Sequence, residues 1–302
     1  MTTQAQPATL PEEIARPSKL SRALRGIGTF MRKNPLGGIG AVMVISTLVM
    51  AAGVEIFQRY DPLYQDYLDR LLPPGPAHFM GTDEFGRDLW ARVVGGSRIS
   101  VIVGFTAVAF GASLGLVIGI VSGFFGGITD NIIQRIIEVM LAFPGLLLAL
   151  ALMATLGAGI DKVILAISVG FIPRTARTMR STVLSAKENV YVEAARAIGA
   201  TNNRIMFRHV LPNVTAPFLI IVSGLLGSAI LVEATLSFLG LGIPPPFPSW
   251  GRMLSSSVAS YALTAPWMVI FPGLAITWLV LGFNLFGDAL RDVWDPRLRG
   301  SQ

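Results

Sequence analysis

The stretch Val163-Ile164-Leu165-Ala166-Ile167-Ser168-Val169-Gly170-Phe171-Ile172-Pro173 decides how this chain is folded. It stays uncharged for only 11 residues, about half of the ~20 that a helix needs to cross a hydrocarbon core. Longer uncharged runs flank it at 36–54, 99–129, 139–160, 210–232 and 253–287. The last run begins polar, so its helix is expected over 267–287. Whether 163–173 also spans decides on which side every later loop lies.

Charge settles the parity. Arg16, Lys19, Arg22, Arg25, Arg32 and Lys33 precede the first run and place the N-terminus inside. Without a span at 163–173, the basic cluster Arg174, Arg177, Arg180, Lys187, Arg196, Arg204 and Arg208 falls outside, against the positive-inside tendency. With it, the cluster and the C-terminal Arg291, Arg297 and Arg299 lie inside. The helix therefore extends backwards through Lys162, whose stem can snorkel, and forwards into 174–180. The expectation is an all-α membrane protein with six transmembrane helices and both termini cytoplasmic. Its parts are a tail (1–35), a first helix (36–57), an outer segment with an interfacial helix (58–98) and a five-helix core (99–302).

Composition agrees. The chain has 302 residues, 52% hydrophobic and 14% charged, with mean hydropathy +0.62; soluble domains carry about 25% charged residues. The runs do not alternate polar and apolar residues, so they do not read as barrel strands. The formal net charge of +6 is explained by membrane orientation, and no nucleic-acid partner is expected. Cysteine is absent, which excludes disulfides and thiolate metal sites. The two histidines, His78 and His209, lie far apart, and no metal site is expected.

The loop at 185–213 is unusual for a membrane protein. Ser185 to Glu188 fits a capping box, predicting a helix with Val190, Ala194 and Ile198 on one face and Gly199 at its left-handed stop. A second short helix is expected over 202–210, before Leu211-Pro212. An amphipathic helix lying on the bilayer is the plain alternative. Such helices favour bulky Leu, Phe and Trp, whereas this helix is rich in alanine, at Ala194, Ala195 and Ala197, which permits close approach of another protein.

Glu193-Ala194-Ala195, then Gly199, then Leu211-Pro212 resembles the EAA loop of binding-protein-dependent ABC importers; the family's usual isoleucine two before the leucine is His209 here. The rest of the chain resembles the C-type permease subunit of the dipeptide/oligopeptide/nickel family. The matching pieces are Gly81-Thr82-Asp83, Gly86-Arg87-Asp88, Phe143-Pro144, Ser237-Phe238-Leu239-Gly240-Leu241-Gly242, Pro245-Pro246-Phe247-Pro248-Ser249-Trp250-Gly251, Phe283-Asn284-Leu285-Phe286-Gly287-Asp288, Leu290-Arg291-Asp292 and Asp295-Pro296. The resemblance implies a type I importer fold in a bacterial inner membrane. It implies a heterodimer with a second permease subunit, two ATPase subunits that bind ATP and magnesium, and an extracytoplasmic solute-binding protein. Val190, Glu193, Ala194, Ala195, Ile198, Gly199, Leu211 and Pro212 then form the ATPase-coupling element. The implied solute is a di- or oligopeptide, with nickel or a metal chelate, or glutathione, as alternatives.

On the outer side, Asp61, Asp66 and Asp69 do not follow calcium-loop spacing and read as a solvated face. Gly81, Asp83, Gly86, Arg87, Asp88 and Trp250 are expected to hold an outer corner or to receive the binding protein. Phe85, Leu89 and Val93 predict the interfacial helix. Pro244, Pro245, Pro246 and Pro248 predict a stiff loop, either gate or connector. Gly104, Gly111, Gly115, Gly119 and Gly123, mostly four apart, predict close helix packing, with a mobile helix–helix contact as the alternative. Arg135 and Glu138 can pair at i, i+3. Glu233 either meets a solute in the pathway or lies at the interface.

No catalytic residue and no cofactor bound by this chain is expected. The only lysines are Lys19, Lys33, Lys162 and Lys187, and none follows glycine as a phosphate loop requires. No Ser-x-x-Lys or His-Glu-x-x-His motif is present, and the one Gly-x-Ser-x-Gly match, Gly111 to Gly115, lies inside an apolar run rather than at a strand-to-helix turn. A secondary transporter is the rival class; it needs ion-binding polar groups at midplane and works without an ATPase.

Overall fold

A glycine at every fourth position lets one helix lie directly on another's backbone. The computed structural model, which describes residues 30–294, uses the stripe in this way. Helix α1 is Pro35–Ala52 and α2 is Leu89–Phe125. Helices α3 (Gly127–Leu141) and α4 (Gly145–Leu156) follow, then α5 (Ile160–Lys187). A Cβ at Gly111 would fall 2.5 Å from the Ser168 carbonyl oxygen; at Gly119 and Gly123 it would fall 2.7 and 2.9 Å from the carbonyls of Ala176 and Arg180. The contacts advance four residues at a time on both helices, so α2 and α5 run parallel. Ser168 bridges them, donating its hydroxyl to the Ala107 carbonyl at 3.0 Å.

The weak stretch is thus a helix of 28 residues, about 42 Å long. Val163, Ala166, Ile167, Ala176 and Met179 are buried. The hydropathy of α5 is low because Asp161, Lys162, Arg174, Arg177, Arg180 and Lys187 stand at its two ends. Four helical runs are apolar and long enough to cross a membrane: α1, α2, 202–238 and α9 (Trp267–Trp294). The pair α3–α4 makes a fifth if taken as one span; α5 is long enough to be the sixth but carries too many charges to count by composition.

The third run departs from expectation. It is broken rather than straight: α3 and α4 meet at 85°. Pro144 removes a backbone donor and pushes Phe143 out of the helical region. Helix α4, with 12 residues, reaches only about 18 Å. Helix α3 exposes Ile128, Ile132, Ile136 and Val139 along one side. Pro173, Pro217 and Pro272 stay inside their helices.

The interfacial helix does not exist as a separate element. Gly86, at φ +72°, keeps Phe85 in a turn, and α2 starts at Leu89 and continues for 37 residues into the span. The chain closes with α6 (Val190–Ala197), α7 (Leu211–Phe238) and α8 (Trp250–Tyr261); no strand occurs among the described residues, only the bridge Thr82–Asp88. The segments 58–88 and 239–266 gather at one end of the bundle, where the Trp267 indole donates to the Thr82 carbonyl at 3.2 Å. The elbow 188–210 occupies the other end. Nearly all of the tail 1–35, with Asp295, Pro296, Arg297 and Arg299, lies outside the described residues.

One consequence is measurable. Gly111→Leu forces a side chain into the α5 backbone, which cannot rotate away as a flexible side chain can. The cost is about 1–3 kcal/mol, seen as a lowered thermal unfolding midpoint in detergent. Leucine at Gly224, with nothing within 4 Å of its Cβ position, should leave the midpoint unchanged.

Candidate functional site

The elbow is built from two turns. The first is not the capping box at Ser185. Helix α5 continues through Ser185 to Lys187, and Asn189 makes the turn. Its side-chain amide donates to the carbonyls of Ser185 and Ala186 at 3.2 and 3.0 Å, so the end of α5 outcompetes a new start at 185. Helix α6 stops at Gly199, φ +79°, with the Ala200 N–H returning to the Ala195 carbonyl at 3.0 Å. The second turn starts at Thr201, which caps Asn202–Ile205. A π-helical turn, Met206–Val210, then feeds directly into α7. Leu211-Pro212 therefore opens the fifth span rather than ending a short helix; proline cannot donate back to the preceding turn, and that turn is π-helical.

Burial divides the elbow into two faces. Val192, Ala195, Ile205, Val210 and Val214 are buried against Ile120, Phe124, Met179, Val183 and Ala186, at the ends of α2 and α5. Val190 and Ile198 stand 79% and 85% exposed, beside exposed Glu193 and Ala194, and Phe207 is 63% exposed. The face Val190–Ala194–Ile198 is thus the outward one. Ala195 belongs to the opposite side, inside this subunit's own packing. Leu211 is half-buried and Pro212 exposed.

Polar contacts fix the base on which the elbow rests. Lys187 Nζ donates to the Gly123 carbonyl at 2.9 Å. Arg180 grips Asp130 with two bonds, Nε to Oδ1 at 2.6 Å and Nη2 to Oδ2 at 2.5 Å. Ser122 also donates to Asp130, and Gln134 Nε2 to Ser122 Oγ at 2.9 Å. This network joins α2, α3 and α5. Sequence reasoning missed it because the partners stand 50 residues apart. The pair it anticipated, Arg135 with Glu138 at 3.2 Å, exists but lies in the open, with Arg135 85% exposed.

At the far end, Asp83, Arg87 and Asp88 meet. Asp83 accepts Arg87 Nε at 2.7 Å and the N–H groups of Phe85 and Arg87 at 2.9 and 3.0 Å. Arg92, also buried, approaches Asp83 at 3.4 Å. Asp88 caps α2 by accepting from Ala91 N–H at 2.7 Å, and its other oxygen lies 2.8 Å from His78 Nδ1. Gly81 and Gly86 sit at φ +76° and +72°, where a side chain would be strained. Trp250 is 1% exposed, its indole bonded to the Val93 carbonyl at 2.9 Å; it is a packing residue with no surface to offer a partner. Asp61 and Asp66 accept N–H groups of their own turns, and Asp69 lies 3.6 Å from His78.

Glu233 does not face a solute pathway as an open side chain; it is enclosed by protein near the corner end of α7. It is fully buried and accepts the hydroxyls of Ser237, Ser249 and Ser100 at 2.8, 3.0 and 3.2 Å. Its three donors come from α7, the residue before α8, and α2. Glu233→Ala should cost about 1–3 kcal/mol by stranding buried hydroxyls, and Glu233→Gln, which keeps an acceptor, clearly less. Thermal unfolding of the two variants measures the difference.

Comparison with known proteins gives the following. Residues 115–300 match the family described as binding-protein-dependent transport system inner membrane component. The dipeptide transport system permease protein DppC of Alkalihalophilus pseudofirmus is 40% identical over 273 residues, covering 89% of this chain and 88% of that protein. The glutathione transport system permease protein GsiD of Escherichia coli is 41% identical over 270 residues, 89% of each. Among solved structures, the MetNI methionine ABC transporter in an inward-facing conformation aligns at a TM-score of 0.55 and 21% identity, over 68% of this chain and 97% of that one. That likeness is one of fold.

Proposed function

This chain belongs to the family of binding-protein-dependent transport system inner membrane components, and from that premise we propose that it is a permease subunit of an ATP-driven importer of di- and oligopeptides in a bacterial cytoplasmic membrane. A second permease subunit completes the pathway, an extracytoplasmic binding protein delivers solute to the corner end, and two ATPases drive the cycle from the elbow end. The observation that carries the reading is the two-faced elbow: buried Val192 and Ala195 fix α6 to the ends of α2 and α5, and bare Val190 and Ile198 face away. An apolar face held rigidly on a moving bundle suits a helix-in-groove partner. It transmits that partner's motion to the spans.

Peptide as solute is supported by the relatives' names. Dipeptides and glutathione are both short peptides with free ends, and glutathione is the second reading, favoured by GsiD at 41% identity. Reconstitution tests the proposal. Liposomes holding this chain, its partner permease, both ATPases and the binding protein should accumulate labelled dipeptide only with ATP. Accumulation by this chain alone on an ion gradient would instead identify a secondary transporter.

A further inference from the structure

A cavity of about 680 Å³ opens between α5, α7 and α9, within the range typical of small-molecule sites. It is lined by Arg174, Asn213, Ser228, Asn284, Asp288 and Arg291, with Pro217 among the residues between them. From Asn213, at the elbow end, to Ser228 it follows α7 for about 22 Å, so it reaches well into the hydrocarbon zone. Asn284, Asp288 and Arg291 recur at i, i+4 and i+7, one face of α9. Charged side chains within spans are costly in lipid and are ordinarily paired or face water. Here the side chains of Arg174, Asn284, Asp288 and Arg291 make no ion pair or hydrogen bond among the described residues, although Arg92 on α2 and Arg180 on α5 each face a carboxylate. Pro217 also deprives the Asn213 carbonyl of its usual helical donor, leaving an acceptor at the cavity.

We infer that this groove is a transit station for zwitterionic solutes, in which Arg174 and Arg291 meet a carboxylate and Asp288, with the Asn213 carbonyl, meets an ammonium. The inference rests on the importer reading and deepens it by naming which residues the solute passes. Two cations and one anion on α5 and α9, with a carbonyl on α7, match the free ends of a short peptide. Spread along a groove, they hold it weakly enough to release it.

The chain lacks cysteine, so single cysteines report cleanly. Ser228→Cys and Asn284→Cys, each in the complete reconstituted transporter, are exposed from the elbow side to membrane-impermeant thiosulfonates of opposite charge. Both should react, the anionic reagent at least ~5-fold faster than the cationic one, and the rates should fall about 10-fold with ATP and vanadate. Dialanine at millimolar concentration should slow labelling, whereas N-acetyl-dialanine amide should not. Arg174→Gln with Arg291→Gln should erase the anionic preference, and Asp288→Asn should erase protection. No reaction at either cysteine, state-independent rates, or equal protection by the blocked peptide would overturn the inference. ATP-dependent dipeptide uptake by the same liposomes distinguishes the two failures: if uptake persists, the importer reading stands while the groove falls.

Discussion

Val190→Asp combined with Ile198→Asp should give a folded, membrane-inserted chain that no longer supports uptake. Both side chains are almost wholly exposed, so a polar replacement removes nothing from the subunit's own packing. Surface changes of this kind usually alter stability by less than about 0.5 kcal/mol. If the pair anchors an ATPase, each loss is expected to cost about 2 kcal/mol, or some 30-fold in docking affinity. Co-purification of the ATPase should then fall below detection. Ala195→Asp supplies the contrast. It puts a charge into the cluster around Met179, Val183 and Val210 and should lower the unfolding midpoint as well as uptake. Retained ATPase binding in the Val190/Ile198 double variant would remove the outer face of α6 from the docking surface.

The contrast shows what the sequence could and could not disclose. Most spans were legible because hydrophobic runs report lipid directly; at α5 charge parity supplied the expectation, and a 28-residue helix is there, though its charges keep it below the apolarity of the others. The glycine stripe was legible because four-residue spacing has one geometric meaning. The elbow's faces were harder. Val190, Ala194 and Ile198 form a genuine helical face, but periodicity cannot say whether the subunit or a partner covers it. Ala195 and Val192 lie on the buried side, a choice made by the ends of α2 and α5. The expected box at Ser185 failed because α5 was already helical there and offered Asn189 two carbonyls. His78 beside Asp88, and Asp130 beside Arg180, depend on chain segments meeting in space, and no local signal announces either.

Asp130 and Arg180 carry the second large expectation. Asp130 accepts two bonds from Arg180 and one from Ser122, and the side chains are 12% and 30% exposed. Asp130→Asn leaves the guanidinium half-buried without its counter-charge. Removing one member of a fully buried pair costs about 3–5 kcal/mol; the residual access to solvent here brings the expectation to about 2–3 kcal/mol. Asp130→Asn with Arg180→Gln removes both charges and should recover part of the loss, giving a coupling of about 1–3 kcal/mol in a double-mutant cycle. Stability is only half of the effect. The pair ties α3 to α5 just above the turn at Asn189, so the elbow rests on a base that this bond holds. Once it is loosened, ATPase motion is absorbed by the elbow instead of reaching α2 and α5. The single variants, assembled in the full transporter below their unfolding midpoint, should hydrolyse ATP at near the parental rate while uptake falls at least about 10-fold. A proportional fall in both rates would mean that the network serves only folding, and transmission must then run through α7, which the π-helical turn joins to the elbow directly.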